Sequence, residues 1–413
     1  MANYLLPLLG WVFVYFSVAG GNLEINSERD NWLDLTTTDS IRVLILSDLS
    51  LNNLFIETRD SEIRISADDD SYKITNQFKP LLIRANRNAV KILNPSGDDA
   101  DAGFITLESS TGSLTVMHSQ FGKISYDGIL EIRINKRSGK LQLINRVALD
   151  DYIASVVGSE MNFNEPEALK TQAVVSRSYA LWTIQKNRNR IFDITDNEMN
   201  QMYLGKLHDK PANRLATEST KREILTWNNK LVLAAYSSTC GGVTNPNEMV
   251  WKGKSLPYLR PVNDNNSCSI SPHYKWNYTL NKNQLFSLLS KNFDFNPVDI
   301  SIESAEHNRV LSVRFTDKNN RLLKLSGNDF RMFVNKHFGP YSLKSSRYRF
   351  TQSNSVLEFN GEGFGHGVGL CQYGALGFAK MGWDYKRILN FYFNNVKVVD
   401  FNSIQNQKIA LAN

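Results

Sequence analysis

The residue best suited to acid–base chemistry is Glu160, in the segment "SVVGSEMNF" at the end of a predicted helix. The negative end of a helix dipole disfavours a carboxylate by roughly 0.3–1 kcal/mol. Water is also excluded by the apolar neighbours Val156, Val157, Met161 and Phe163. Both effects raise the pKa of Glu160, as a general acid near neutral pH requires. The alternative is an exposed carboxylate at a helix end, with no chemical role.

A second candidate site is the segment "GEGFGHGVG", residues 361–369, in which glycine occupies every second position. In an extended chain, this alternation places all five glycines on one bare face. The nucleotide-binding patterns G-x-G-x-x-G and G-x-x-x-x-G-K-S/T are absent. We therefore predict that Gly365 and Gly367 line a groove for a flat, hydroxyl-rich ligand. His366 is then a polar contact, and Tyr373 a stacking or hydrogen-bonding group. The alternative is a close crossing of two strands in the core.

The three cysteines, Cys240, Cys268 and Cys371, form a third candidate site. Together with His273 or His366 they match a four-ligand zinc site in type and number. Their spacing fits no local zinc motif. An exported chain meets oxidising conditions, which favours a disulfide with one spare thiol over zinc. Three unlinked thiols are the remaining alternative.

Length and charge set wide limits on function. The chain has 413 residues, with 47 Lys and Arg against 41 Asp and Glu and a net charge of +6. A chain of this length can bury a large core, and so mild a positive excess does not require nucleic acid as a partner. We interpret the basic run at 186–190 as the solvated end of a helix.

The N-terminal segment is expected to direct export. An apolar run at 5–19 is short for a membrane span and ends in the small-x-small pattern of a signal peptidase site, Ser17-Val18-Ala19. Because the first basic residue is Arg29, the usual basic n-region is missing, and an uncleaved anchor is the alternative. Either reading places the protein in the periplasm or the cell envelope.

The elements that position these residues change in type at Asp150. Before it, short β-rich runs predict strands at 41–46, 54–58 and 89–93, and a hairpin turns at 136–139. After it, helical spacing predicts one helix capped by Asp150 or Asp151 and a second capped by Asn164, with Pro166 and Glu167 in its first turn.

Near the C-terminus, a further pair of helices is predicted around Gly382. Gly382 has the position of a helix C-cap, and Asp384 that of the next N-cap. The following helix has a packing face made of Ile388, Leu389 and Tyr392. We assign these apolar side chains to the core rather than to a ligand platform.

Four motifs occur in the order found in one known family. They are "VALDDYIASVVGSEMNFNEPEALKTQAVVSRSYAL" at 147–181, "YSSTCGGVT" at 236–244, "PYLRPVND" at 257–264 and "GFGHGVGLCQYGALGFA" at 363–379. On these residues the chain resembles the SpoIID/LytB family of bacterial envelope proteins, over roughly residues 40–400.

The resemblance implies a role on peptidoglycan. SpoIID-type members are lytic transglycosylases that cut glycan strands and prefer strands without stem peptides. Glu160 is then the catalytic residue, and Arg177 joins Gly365, His366, Gly367 and Tyr373 as a substrate contact. LytB-type members enhance a separate cell-wall amidase, so a non-catalytic wall-binding protein is the alternative function. Asn162 departs from the family, in which proline commonly follows the Glu-Met pair, and this bears on where Glu160 lies relative to the groove.

The number of carboxylates also bears on the reaction. An ordinary glycosidase uses two carboxylates that flank the bond, and the sequence offers no convincing partner for Glu160. A lytic transglycosylase needs only one, because the 6-hydroxyl of the sugar replaces water as the nucleophile. This favours cleavage of the MurNAc–GlcNAc bond to leave 1,6-anhydroMurNAc ends.

The sequence therefore predicts an α+β protein with parts that form one groove. These parts are a signal peptide or anchor at 1–19, a β-rich domain at 40–149, a helical catalytic segment at 150–270 and a C-terminal α/β part at 271–400 that carries the glycine motif. Its expected partners are glycan strands and a cell-wall amidase, not nucleic acid. The chemistry requires no cofactor, and zinc is the candidate metal.

Overall fold

A computed structural model of the chain describes residues 32–34, 38–58, 62–67, 70–75, 80–93, 100–251, 253–306, 308–404 and 408–412. The predicted signal or anchor at 1–19 lies outside these residues. Within them, the fold is α+β, as predicted. No helix in this part of the chain has both the length and the apolar character needed to cross a membrane.

The N-terminal part is built from strands. In chain order they are β1 (Trp32–Asp34), β2 (Ser40–Ile45), β3 (Asn53–Glu57), β4 (Glu62–Ala67), β5 (Asp70–Thr75), β6 (Leu81–Asn86), β7 (Ala89–Leu93), β8 (Ala100–Ala102), β9 (Phe104–Ser109), β10 (Ser113–His118), β11 (Gly122–Asp127), β12 (Ile129–Ile134) and β13 (Leu141–Ala148). The three predicted strands correspond to β2, β3 and β7, and the predicted hairpin joins β12 to β13 in the register Ile134↔Leu141. These predictions are confirmed.

Alternation of apolar and polar residues explains this part of the fold. In β2, Ile41, Val43 and Ile45 are buried while the residues between them are not, because successive side chains of a strand point to opposite faces. Two sheets share one apolar core, with strand orders β11-β10-β3-β6-β7-β8 and, beginning with β14 (Ile194–Thr195), β14-β2-β13-β12-β9-β4-β5.

Two helices follow β13 directly. Helix α1 (Leu149–Glu160) begins after Ala148, so the predicted caps Asp150 and Asp151 lie in its first turn, where negative charge is favoured. Helix α2 (Pro166–Asn187) begins after Glu165, and the predicted cap at Asn164 is wrong. The reason is Pro166, which disfavours helical geometry in the residue before it and therefore fixes where the helix begins.

The remaining elements alternate between short strands and helices. They are α3 (Pro211–Ser219), β15 (Glu223–Trp227), β16 (Lys230–Leu231), β17 (Tyr236–Ser237), β18 (Lys275–Asn281), α4 (Lys282–Phe293), β19 (Pro297–Glu306), β20 (Arg309–Asp317), β21 (Leu322–Ser326), α5 (Gly327–Phe338), β22 (Tyr348–Gln352), β23 (Val356–Glu362), β24 (Leu370–Cys371), α6 (Gln372–Lys380), α7 (Tyr385–Tyr392), β25 (Lys397–Asp400) and β26 (Lys408–Ala410). Asp384 caps α7 through the N–H of Arg387, as predicted.

The described residues form two hydrophobic cores. Residues 276–359 have their own core, built from β18 to β23 with α4 and α5. The glycine-rich segment and helices α6 and α7 return to the first core, where α6 packs on α2. The predicted C-terminal part at 271–400 therefore spans both cores, because the chain leaves the first core and comes back to it.

The glycine-rich segment is not the extended strand that its spacing predicts. Only Gly361 lies in a strand, and Gly363, Gly365, Gly367 and Gly369 have φ between +72° and +97°. The segment lies against residues 235–245, with β24 parallel to β17. A Cβ atom on Gly369 would lie 2.1 Å from the carbonyl oxygen of Ala235. The glycines therefore permit a close crossing of two backbones, which was the alternative interpretation.

The close crossing can be tested with two alanine substitutions. Gly382 has a similar φ of +85° but open space around it, so Gly382→Ala should cost only the strain of the left-handed region, about 1–2 kcal/mol. Gly369→Ala adds a steric clash with Ala235 and should cost about 1–3 kcal/mol more. Denaturant unfolding measures both. Equal losses of stability would contradict the crossing.

Candidate active site

Glu160 is the last residue of α1, and its carboxylate is half-buried where three other segments meet. Oε1 accepts hydrogen bonds from the backbone N–H of Met202, at 2.8 Å, and from the hydroxyl of Tyr236, at 2.9 Å. Oε2 has only a long contact, 3.4 Å, with the amide nitrogen of Gln372. Because Oε1 is occupied by two donors, Oε2 is the oxygen that can carry and transfer a proton.

The environment of Glu160 favours its protonated form. Burial is the largest influence and raises its pKa, while the hydrogen bonds from Met202, Tyr236 and Gln372 oppose the shift and the charge of Glu198 adds to it. The net pKa is raised, in the direction expected from the sequence. A raised pKa is the direction that a general acid requires.

Buried amide side chains fix the partners of Glu160. Gln372, at the start of α6, lies 3.5 Å from the side-chain oxygen of Gln172 on α2. Gln172 in turn donates to the hydroxyl of Ser176 at 2.9 Å. Gln201, next to Met202, accepts from the hydroxyl of Tyr152 at 3.1 Å. Sequence reasoning placed Ser176 on the buried face of α2 but missed Gln172, Gln201 and Gln372, although Gln172 lies four residues before Ser176 on the same helix.

His366 has a structural role at the site and does not act as an acid or a base. Its Nδ1 accepts from the N–H of Val368 at 3.0 Å, and the ring also hydrogen-bonds the backbone of Tyr236. Burial lowers its pKa to about 3, and the charges of Arg331 and Arg309 contribute. The ring is therefore neutral and packs against Trp251, with centroids 5.0 Å apart. The His366 ring thus contacts the backbone of Tyr236, and the hydroxyl of Tyr236 donates to Glu160.

The predicted groove residues differ in what they can reach. Tyr373 is half-buried beside Gln372, and its ring meets that of Phe163 edge-on at 4.9 Å. Gly365 is half-buried, but Gly367 is buried, and a Cβ there would lie 2.4 Å from Nη2 of Arg309. Gly367 thus makes room for an arginine side chain, and its prediction as a groove residue is wrong.

Arg177 does not lie in the site, and its prediction as a substrate contact is wrong. Its side chain is fully buried and donates to the backbone oxygens of Thr220, at 2.8 Å, and Thr217, at 3.2 Å. These bonds tie α2 to the C-terminal end of α3. A guanidinium in that position satisfies carbonyl groups at a helix end and is not accessible to a ligand.

The three cysteines come together with Asp264 in a buried cluster. One ligand atom from each of the four residues lies within 4.8 Å of all the others. Cys371 Sγ also accepts from the backbone N–H of Cys240, at 3.2 Å, and of Gly374, at 3.3 Å. Three sulfurs and one carboxylate oxygen are a donor set that suits zinc. All three cysteines are free thiols here, and Cys240 and Cys268 lie 3.7 Å apart between sulfurs.

His273 is not part of this cluster, so its prediction as the fourth ligand is wrong. Its Nδ1 lies 3.3 Å from Nζ of Lys344, and its ring meets Phe364 edge-on. Asp264 takes the fourth position because the motif "PYLRPVND" ends against Cys240, whose sulfur lies 3.2 Å from the Asp264 carboxylate. A metal there would fix Cys371 and hence Gln372, the next residue. Its four protein ligands would make it structural.

Comparison with known proteins gives the family. A family model described as Stage II sporulation protein, SpoIID, matches residues 137–227. An uncharacterized protein of Brachyspira hyodysenteriae is 32% identical over 275 residues, which is 64% of this chain and 70% of that protein. Stage II sporulation protein D of Bacillus subtilis is 27% identical over 289 residues, 65% of this chain and 79% of that protein. The amidase enhancer of Bacillus subtilis is 29% identical over 282 residues, 57% of this chain and 38% of that protein.

The chain belongs to the SpoIID family. The matched residues 137–227 include helix α1 with Glu160 and the segment that carries Met202. Membership of this family, together with the similarity to an amidase enhancer, supports a role related to the bacterial cell wall.

Measuring the metal content of the cysteine cluster distinguishes zinc from a disulfide and from three unlinked thiols. If it holds zinc, freshly purified protein should contain close to one equivalent, and Asp264→Ala should lose most of it. His273→Ala is the matched control and should keep its zinc, because His273 lies outside the cluster. Thiol titration of the denatured, chelator-treated protein should then find three thiols. Less than a tenth of an equivalent of metal would contradict zinc, and a single thiol would indicate the disulfide.

Proposed function

We propose that this protein is a lytic transglycosylase that cleaves the MurNAc–GlcNAc bond of peptide-free peptidoglycan strands and leaves 1,6-anhydroMurNAc ends. The observation that carries the proposal is the unequal bonding of Glu160, whose Oε1 is held by two donors while Oε2 can exchange a proton. Membership of the SpoIID family supports a substrate in the cell wall.

The reaction needs one group that is first an acid and then a base. Glu160 Oε2 gives its proton to the glycosidic oxygen as the bond from that oxygen to C1 of MurNAc breaks. The 6-hydroxyl of the same MurNAc then attacks C1, and its proton passes to Oε2. One C–O bond breaks and one forms, no water is consumed, and Glu160 ends protonated. Tyr236 and Met202 hold the carboxylate in one orientation throughout.

Glu198 is the residue to consider for a hydrolytic alternative. Its charge raises the pKa of Glu160, so it is the neighbouring carboxylate whose influence reaches the site. It is exposed and forms no hydrogen bond to Glu160 among the described contacts. A hydrolase would require a second carboxylate to activate water. The transglycosylase proposal requires that Glu198→Gln still forms anhydro-ended products.

The central test replaces Glu160 by glutamine. Glu160→Gln keeps the shape of the side chain but cannot transfer a proton, which should lower the rate about 10²–10⁴-fold, or roughly 2.7–5.4 kcal/mol. Glu160→Asp should also be severely impaired, because its carboxyl is withdrawn by one methylene. The measurement is mass spectrometry of peptide-free glycan strands after incubation. Glu218→Gln, an exposed change on α3, is the control, and wild-type product release by Glu160→Gln would exclude Glu160 as the catalytic residue.

The pH dependence of the rate follows from the raised pKa. Glu160 must start protonated, so kcat/KM should fall as pH rises through its pKa in the folded protein. Tyr236→Phe removes a hydrogen bond that lowers this pKa, so the alkaline limb should move to higher pH. Tyr278→Phe, in the second core, is the control and should leave the limb in place. A limb that stays fixed or moves to lower pH in Tyr236→Phe would contradict the assignment.

The same pKa can be measured without activity. A carboxyl whose pKa is raised by folding stabilises the protein below its unfolded pKa, and this contribution is lost as pH rises through the folded pKa. Glu160→Gln cannot ionise, so it should gain stability relative to the wild type over that window and not below it. Thermal unfolding of both proteins as a function of pH gives the comparison.

A second candidate function is stimulation of a cell-wall amidase, which the similarity to the amidase enhancer favours. In that case the wild type would form no anhydro product, and Glu160→Gln would stimulate an amidase as well as the wild type does. The product analysis described for Glu160→Gln therefore separates the two functions.

A further inference from the structure

Helix α5 of the second core brings one arginine to the glycine-rich segment. Arg331 donates through Nη1 to the backbone oxygen of Lys344, at 3.2 Å. The same oxygen accepts from the N–H of Gly365, at 2.9 Å. Arg331 therefore lies beside Gly365 and His366, and His366 contacts Tyr236, which binds Glu160. The route from its guanidinium to Glu160 therefore runs through the Lys344 oxygen, the backbone of Gly365 and His366, and Tyr236.

The guanidinium of Arg331 has unused donors. It is half-buried, it forms no ion pair with a carboxylate of the described residues, and its other close contact is the sulfur of Met332, at 3.6 Å. A guanidinium has five N–H donors, so Arg331 retains N–H groups that a ligand can reach. The neighbouring arginines are committed to protein partners: Arg347 pairs with Glu362 at 2.8 Å, and Arg309 donates to the backbone oxygen of Cys240. Each of them also has a buried Nη1 without a hydrogen-bond partner among the described residues.

Arg331 and Glu198 carry opposite charges and come from different parts of the fold. Glu198 is the acidic residue whose charge acts on both Arg331 and Glu160. It belongs to the loop that also supplies Met202, whereas Arg331 belongs to the second core. An anionic group on a ligand would be attracted toward Arg331 and repelled by Glu198. An anionic group of a ligand is therefore drawn to the Arg331 end of this pair.

We propose that Arg331 binds the free lactyl carboxylate of MurNAc and thereby selects peptide-free strands and sets their register over Glu160. This inference rests on the proposed function and deepens it. A stem peptide is joined to that lactyl group by an amide, which is neutral, so only a peptide-free MurNAc presents a carboxylate there. A guanidinium binds carboxylates through two parallel hydrogen bonds. GlcNAc has no lactyl group, so the contact also distinguishes the two sugars of the repeat.

The test removes the positive charge of Arg331 from the protein and the negative charge of the lactyl carboxylate from the substrate. Peptide-free strands are compared with identical strands whose lactyl carboxylates have been converted to methylamides by carbodiimide coupling. A hydrogen bond between charged groups corresponds to about a 10- to 150-fold effect, so wild-type kcat/KM should be lower by about that factor on the amide strands. Arg331→Met should lose a similar factor on the carboxylate strands and should no longer distinguish the two.

Controls separate this role from folding and from the reaction itself. Arg331→Gln keeps a donor for the Lys344 oxygen and should behave like Arg331→Met, with unchanged thermal stability. Arg314→Met removes an exposed charge from the same core and should discriminate like the wild type. Binding of both strand types to Glu160→Gln, with and without Arg331→Met, gives a readout that needs no turnover.

The outcomes are distinct. Discrimination in rate and binding that disappears with Arg331 supports the inference. Equal wild-type rates on both strands, or discrimination that persists in Arg331→Met, overturns it while the proposed reaction stands. If no anhydro product forms from either strand, the proposed reaction fails, and the binding comparison alone decides whether Arg331 reads the carboxylate.

Discussion

The site depends on keeping one carboxyl group partly out of water. Glu160 is held by a backbone N–H from Met202, a hydroxyl from Tyr236 and an amide from Gln372, three groups far apart in the sequence. Desolvation raises its pKa, whereas each donor lowers it. Too many donors would leave a stable carboxylate that could not give up a proton. Two donors to Oε1 and one long contact to Oε2 leave the effect of desolvation on the pKa only partly opposed.

The rest of the fold can be understood as what brings those donors together. Tyr236 lies on β17, which is pressed against the glycine-rich segment, and Gln372 begins the helix that follows that segment. Because the crossing backbones leave no space for side chains, the two donors keep a fixed separation. The cysteine cluster adds a second constraint at Cys371, the residue before Gln372. The close backbone crossing therefore also fixes the positions of Tyr236 and Gln372 around Glu160.

Local patterns predicted the elements well and the long-range contacts poorly. Alternation identified β2 and the β12–β13 hairpin, and helical spacing placed Glu160 at a helix end, because both signals come from neighbouring residues. The alternating glycines led to the wrong prediction of an extended strand, because their spacing does not determine the sign of φ. Arg177 lies inside a motif and His273 lies between two of them. Only the packing of distant segments shows that Arg177 faces carbonyl groups and His273 faces Lys344. Asp264 joins the cysteines for the same reason.

The chain enters and leaves the second core at adjacent positions. The first and last strands of this core, β18 and β23, are antiparallel neighbours with Lys275 opposite Glu362, and the N–H of Gly363 bonds the oxygen of Tyr274. A segment attached through adjacent ends behaves as a module, which can be exchanged without moving the chain on either side. Substitutions within the second core, including at Arg331, can therefore leave the segments that hold Glu160 in place.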